Sequence, residues 1–376
     1  MKAIINAKII TDSEVLRGYN LLFSQKIITI TKDLPIWAEV IDAKGAYLSA
    51  GFIDIHIHGL GGADIMDATP EAIDIVSKSL LQTGTTSFLA TTMTMSSHDI
   101  KKALLNIQTD GGFVSGAKIL GVHLEGPFIN PNKKGAQNAK YIQKPNFELI
   151  KDYIDIIKLI TIAPEVDGAR EFIAHIHREY PHIILSIGHS DATYIESLDS
   201  FSWGITHATH LFNAMTPLHH REPGVVGAVL GSDSVSCEII ADNIHIHPSF
   251  YSLISKLKPQ QLLLITDSMR AGCMKNGEYI LGGQKVIVNN GKASLDDGTI
   301  AGSVLKLNEA LRNFYRYSDI ELPQLLNMVT AVPAKKLGLK LGELRESYPA
   351  DIVLFDSEFN ILKTFIDGKL KFSKKY

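Results

Sequence analysis

The chain has 376 residues, and at roughly 100–200 residues per domain that length calls for two or three domains, or one large barrel with an accessory piece. Hydrophobic residues make up 45% and charged residues 20%, the balance of a globular protein, which excludes disorder as the main state. Acids number 40 against 37 bases, a net charge of −3; this excludes a global basic field for nucleic acid or an anionic membrane and leaves any anionic ligand to a few local cations.

Residues 1–49 read as short strands broken by turns: AIINAKIIT, YNLLFS and KIITITK. Their period is close to two. The first twenty residues lack the continuous apolar core and small-residue cleavage site of a signal peptide, so none is expected. From about residue 50 the rhythm changes. Eight apolar runs follow: GFIDIHIHG, TSFLATTM, KILGVHLEGPF, IIKLITIAPE, HIILSIGHS, GITHATHLFNAM, SVSCEIIADNIHIH and QLLLITDSM. Helical stretches such as PEAIDIVSKSLLQTG and AREFIAHIHREY lie between most of them. Strands apolar on both faces and separated by helices predict a buried parallel sheet. Eight units in about 290 residues predict a (β/α)8 TIM barrel over residues 50–344, with a doubly wound open sheet as the alternative. No GxGxxG follows the first run and no GxxxxGK[ST] occurs, so no nucleotide site is expected.

Two stretches interrupt the pattern, Thr216 to Ser234 and CMKNGEYILGGQKVIVNNGKASLDDG, the second reading as a β-hairpin excursion. In a barrel both belong to the face of the βα loops, where function sits. The C-terminal DIVLFDSEFNILKTFIDGKLKF returns to short strands with an Asp367-Gly368 turn. The two ends are expected to meet in one small β-sandwich, residues 1–49 plus 345–376. The Lys-rich end, with Lys374 and Lys375, reads as a solvated tail. Two cysteines, Cys237 and Cys273, make no disulfide framework and fit a reducing, cytoplasmic home. No uncharged apolar run of 18 residues predicts a transmembrane helix.

The chemistry is carried by the ends of the runs. His56 and His58 are two apart on a strand, so their rings share one side, and neutral imidazoles side by side suit a divalent transition metal. Run three ends in His123-Leu124-Glu125, run five in Gly188-His189-Ser190, and run six holds His207 and His210. Run eight ends in Thr266-Asp267-Ser268. Barrel active sites draw on the C-terminal ends of several strands, and carboxylates there must be paired or metal-bound. These residues are therefore expected to converge on one metal site. His123 reads either as a ligand or as a donor behind one. His207 or His210, but not both, reads as the ligand of run six, because residues three apart on a strand face opposite ways. A second HxH, His245 and His247, follows a turn and precedes Pro248, which places it on a loop beyond the strand.

In this order, GFIDIHIHG, HLEGPF, GHSDA, THLFNAM followed by HREPGVVGA, IADNIHIHP, ITDSM and GTIAGS resemble the N-acetylglucosamine-6-phosphate deacetylases of the amidohydrolase superfamily. The resemblance implies hydrolysis of the acetamide of N-acetylglucosamine 6-phosphate to glucosamine 6-phosphate and acetate. It implies that Glu125, His189 and His210 hold one divalent metal, and that His56 and His58 hold a second with Glu125 bridging. Some members have lost this HxH and use one metal; here it is retained, so two are expected, as zinc, iron, manganese or cobalt. The family often has a histidine where this chain reads Lys134-Gly135-Ala136-Gln137, so Gln137 or the second metal takes over polarisation of the carbonyl. Asp267 is implied as the proton shuttle, and Arg221 and His245 as the phosphate clamp, reaching the neighbouring site of a homodimer. Ala136, Gln137, Asn213, Ala214, Ile300, Ala301 and Gly302 are implied to line the sugar pocket. Rival readings are another deacylase or cyclic amidase of the same superfamily, lacking the clamp, and a non-catalytic barrel scaffold.

Overall fold

The computed structural model describes residues 1–374; Lys375, named above as part of the tail, lies outside them. The eight runs form one eight-stranded parallel sheet. Its strands are β1 (Phe52–Ile57), β2 (Thr85–Thr91), β3 (Lys118–Glu125), β4 (Ile157–Ile162), β5 (Ile184–Ile187), β6 (Ile205–Ala208), β7 (Ser236–Ile240) and β8 (Leu262–Ile265). They pair in unbroken sequence order from β1 to β8. A further parallel bridge joins Ile57, at the end of β1, to Ser268, just past β8, and brings the two edges together. The order has no reversal, so the open doubly wound alternative is excluded: such a sheet needs a point where strand order turns back.

The helices have the expected composition and ends. Pro70–Leu80 starts behind Thr69, whose side chain accepts from the Ala72 N–H, and its first residue is proline, which lacks the N–H that would be orphaned there. It buries Ile73, Val76 and Leu80 on one face. Ala169–Glu179 does the same with Phe172, Ile173 and Ile176. The link between β3 and β4 is different, a long loop with only 3-10 turns. This loop carries Gln137.

The barrel interior is polar toward its C-terminal end. Asp54, His56, His123, Thr161, Ser186, His207 and Glu238 are all fully buried there. Three of them are in matched register on consecutive strands, Thr161 beside Ser186 and Ser186 beside His207. Hydroxyls fill the space between them: Thr161 meets His123 Nε2 at 2.7 Å, and Thr209 meets Thr161 at 2.7 Å and Ser186 at 2.6 Å.

The chain ends build two of the other sheets. One has four strands, in the order Ile27–Thr31, Asn20–Phe23, Lys2–Ile5, Glu39–Asp42. The other has six and interleaves the two ends: Ile352–Phe355 runs antiparallel to Tyr47–Ala50, pairing Ile352 with Ala50 and Phe355 with Tyr47. Both sheets supply one apolar cluster, with Ile4, Leu21 and Phe23 meeting Leu48, Leu354 and Phe365. The Asp367-Gly368 turn has φ of 48° and 69°, the left-handed pair that a two-residue type I′ hairpin requires. The excursion after β8 is a three-stranded meander, Gly277–Leu281, Gln284–Asn289 and Lys292–Ser294. It packs Leu281, Val286 and Val288 on Met93 and Met269 beside the barrel mouth.

Candidate functional site

Glu125, the last residue of β3, stands at the centre of the mouth. Its Oε1 lies 3.3 Å from His56 Nε2, 3.2 Å from His189 Nε2 and 3.1 Å from His210 Nε2. Its Oε2 lies 3.2 Å from His58 Nε2 and accepts from Gln137 Nε2 at 2.6 Å. The ring nitrogens of His189 and His210 are themselves 3.1 Å apart. Asp267 Oδ1 closes the opposite side at 3.2 Å from His58 Nε2 and 3.5 Å from His56 Nε2. Two sets of ligand atoms, His56–His58–Glu125 and Glu125–His189–His210, are each compact enough to surround one ion, and they share Glu125.

The backbone is shaped for this convergence. His189, His210 and Asp267 have φ of 48°, 32° and 47°, a left-handed region that non-glycine residues seldom occupy and that collects at functional sites. Each lies just past its strand, so the chain turns and aims the side chain across the mouth. This changes the expectation for run six. β6 ends at Ala208, so His207 and His210 do not face opposite ways; His210 reaches Glu125, while His207 stays one layer lower against Glu238. At the start of the long loop, Gly126 has φ of 74° and a side chain there would collide with Thr94 Oγ1, 2.1 Å from its Cβ position.

The tautomers show what the cluster needs. His56 Nδ1 donates to Glu238 Oε2 at 3.0 Å, and His189 Nδ1 donates to the Lys133 carbonyl at 2.8 Å. In the neutral ring each then presents an Nε2 lone pair to a carboxylate oxygen, an acceptor facing an acceptor. Only a cation or added protons between them relieve that repulsion. Burial disfavours a charged His56, but the carboxylates of Asp267, Glu125 and Glu238 outweigh it and hold its pKa well above the ordinary value. His58 is likewise buried, yet Asp267 and Glu125 push it up to about 9. Against the opposing effect of burial, the histidines hold the pKa of Glu125 and of Asp267 down. The residues present therefore fit a divalent metal site. His123 stays out of both sets around Glu125: it is buried, its Nε2 meets Thr161, and burial keeps its pKa well below that of a free imidazole.

Beside the cluster opens a cavity of about 270 Å³. Ala136, Gln137, Asn213, Ala214, His245, Ile300 and Gly302 line it together with His58, Glu125, His189, His210 and Asp267. Ala301 does not; its methyl is buried in the apolar cluster of Met93, Met269 and Ala293, since neighbouring residues of an extended segment point opposite ways. Gln137 has its amide engaged, Oε1 accepting from the Thr94 N–H at 2.7 Å while Nε2 donates to Glu125. His245 lies on the loop past β7, held by Asp242 at 2.7 Å; His247 is exposed and outside the cavity. Arg221 is exposed and does not line the cavity, and among the described residues it has no carboxylate partner, Glu222 included. Among the described residues its guanidinium has one hydrogen-bond partner, His220 Nε2 at 2.7 Å.

Three participants went unmarked along the chain. Glu238 holds both His56 and His207, and its pKa is held down by these histidines despite burial. Asp54 accepts from Thr266 Oγ1 at 2.6 Å, and burial pushes its pKa up to about 7. Both were visible as lone acids inside apolar runs, a pattern that demands a buried partner. Met93 is the third; it lines the cavity wall, and nothing in its local sequence marks it.

Residues 47–371 match the Amidohydrolase family. The chain is 41% identical over 382 residues to N-acetylglucosamine-6-phosphate deacetylase of Bacillus subtilis, covering 98% of this chain and 96% of that one. The crystal structure of N-acetylglucosamine-6-phosphate deacetylase from Pasteurella multocida superposes with a TM-score of 0.94 at 33% identity, covering 99% of this chain and 100% of that one. A mutant of the Mycobacterium smegmatis N-acetyl-D-glucosamine-6-phosphate deacetylase, in complex with N-acetyl-D-glucosamine-6-phosphate, superposes with a TM-score of 0.92 at 28% identity, covering 99% of each chain.

Proposed function

Because the chain belongs to the amidohydrolase family, we propose that it hydrolyses the acetamide of N-acetyl-D-glucosamine 6-phosphate to D-glucosamine 6-phosphate and acetate, in amino-sugar breakdown or recycling. The observation that carries this reading is the shared carboxylate of Glu125, flanked by two pairs of inward-facing imidazoles, with Asp267 beside the cavity. His56, His58 and Glu125 would hold one divalent ion, and Glu125, His189 and His210 a second; imidazole and carboxylate donors suit zinc, iron, manganese or cobalt. When bound, such ions supply Lewis acidity, stabilising negative charge that develops on oxygen and lowering the pKa of water to about 7.

The chain's own residues do the rest. Asp267, kept ionised by its histidine neighbours, accepts the proton of the attacking water and delivers it to the departing amine nitrogen. Gln137 steadies Glu125 and keeps one N–H for the substrate, so its part is orientation before polarisation. Asn213, Ala136, Ala214, Ile300 and Gly302 shape the sugar pocket, and Ala301 supports it from behind.

His245 binds the phosphate from within the cavity, and Arg221, free of any carboxylate among the described residues, binds it in the neighbouring site of a homodimer. The enzyme works in the cytoplasm, where Cys237 and Cys273 stay reduced. Among the described residues, no helix is long and apolar enough to cross a membrane.

The test is acetate release from N-acetylglucosamine 6-phosphate and from N-acetylglucosamine, before and after chelation. The phosphorylated sugar should be strongly preferred and activity should return with added metal. Equal efficiency on both sugars would remove the phosphate clamp, and activity surviving thorough chelation would remove the metal.

A further inference from the structure

We infer that Glu238 is the positioning residue that locks the two ligand sets to each other; this rests on the proposed reading of the histidines as metal ligands. Glu238 is fully buried in the middle of β7. Its Oε2 accepts twice, from His56 Nδ1 at 3.0 Å and from the backbone N–H of His210 at 3.1 Å. Its Oε1 accepts from His207 Nε2 at 3.2 Å. His207 Nδ1 in turn accepts from Ser236 Oγ at 2.6 Å, the arrangement of a neutral ring whose Nε2 donates to Glu238.

Each contact has a separate consequence. The bond to His56 fixes that ring's tautomer and rotation, so that its Nε2 lone pair faces Glu125 and Asp267. A carboxylate behind a ligating imidazole also raises the basicity of the ring. The bond to His210 acts on the backbone, at the residue whose φ of 32° turns the chain across the mouth. Among the described residues, Glu125 and Glu238 are the two carboxylates that touch ligands of both sets; Asp267 touches His56 and His58 alone. Glu125 joins the sets from the side of the ions, and Glu238 joins them from behind. His207 and Ser236 keep Glu238 from rotating away, which explains a histidine and a hydroxyl buried one layer below the site without touching it.

The test uses the full chain, stripped with a chelator and titrated with cobalt(II), whose visible absorption reports coordination directly. The unaltered protein should take up two ions. Glu238→Gln should weaken cobalt affinity by about 10–100-fold, the usual cost of removing a carboxylate behind a metal ligand, and should alter the absorption bands of the ion bound. Ser236→Ala, one residue further from the site, should weaken affinity in the same direction by a smaller factor. Unchanged affinity, stoichiometry and spectrum in Glu238→Gln would overturn the inference while leaving the metal reading intact. If Glu238→Gln does not fold, Ser236→Ala decides, and unchanged cobalt affinity there overturns it. Failure of the unaltered protein to bind cobalt would sink the metal reading and this inference together.

Discussion

The two ends of the barrel bury charge in opposite ways. At the N-terminal end, Lys258 Nζ donates to the Val235 and Ser232 carbonyls, and Lys336 Nζ donates to the Thr206 carbonyl at 2.7 Å and to its hydroxyl at 3.0 Å. Among the described residues these cations donate to neutral oxygens alone, and burial lowers both pKa values, that of Lys336 to about 8. At the C-terminal end, Glu125 and Asp267 stand among four histidines whose Nε2 atoms face carboxylate oxygens. The lower end is complete with the groups it has. With its imidazoles neutral the upper end is short of positive charge, a demand that added protons or a metal ion would meet and that sets it apart from a group of satisfied buried side chains.

The contrast can be broken most severely at Glu125. Glu125→Gln should abolish tight binding of both ions, read by elemental analysis, and reduce acetate release to background; two ions retained at normal affinity would show that Glu125 is not shared between them. Asp267→Asn separates chemistry from metal binding. Turnover should fall by about 10²–10⁴-fold, the range for a lost general acid–base, with ion content kept. Near-normal acetate release would remove the proton shuttle.

Arg221 sharpens the same end from outside. Arg221→Ala and Asp267→Asn should each be impaired alone, and mixing them under subunit exchange should restore part of the turnover, because one site then combines an intact Asp267 with an intact Arg221 from the other chain. Mixing that gives no gain, in a sample shown to be dimeric, places Arg221 outside its neighbour's site. The smallest effect belongs to the lower end. Lys336 has a folded pKa of about 8 against 10.5 for the free group, so between those values the unfolded chain binds more protons and stability rises with pH. The climb should be on the order of 1–3 kcal/mol, and it should flatten in Lys336→Met when denaturant midpoints are measured from about pH 7 to 11, a window that spans both pKa values.

Much of this site is legible along the chain. His56 and His58 declare themselves because strand periodicity alone puts both rings on one side, and Glu125 and Asp267 because each ends an apolar run. Glu238 is equally a strand carboxylate, but it sits mid-run, where only its partners separate a structural pair from a support for a ligand; those partners are 182 and 31 residues away. His210 was expected to compete with His207 for one role. Both point inward, since the strand stops at Ala208 and backbone geometry, not alternation, directs the residues beyond it.

Local sequence is enough for the eight-strand rhythm, the return of the C-terminal strands to the N-terminal ones and the residue types gathered at strand ends. These are matters of periodicity and turn chemistry, written in neighbouring residues. The assembled barrel had to decide that four Nε2 atoms meet one carboxylate, that Gln137 turns its amide onto Glu125, that Ala301 faces away from the cavity and that Arg221 stands outside it. Those outcomes depend on the closing of the sheet and on the path of loops past its rim, where distances of a few ångströms are set by residues far apart in the chain.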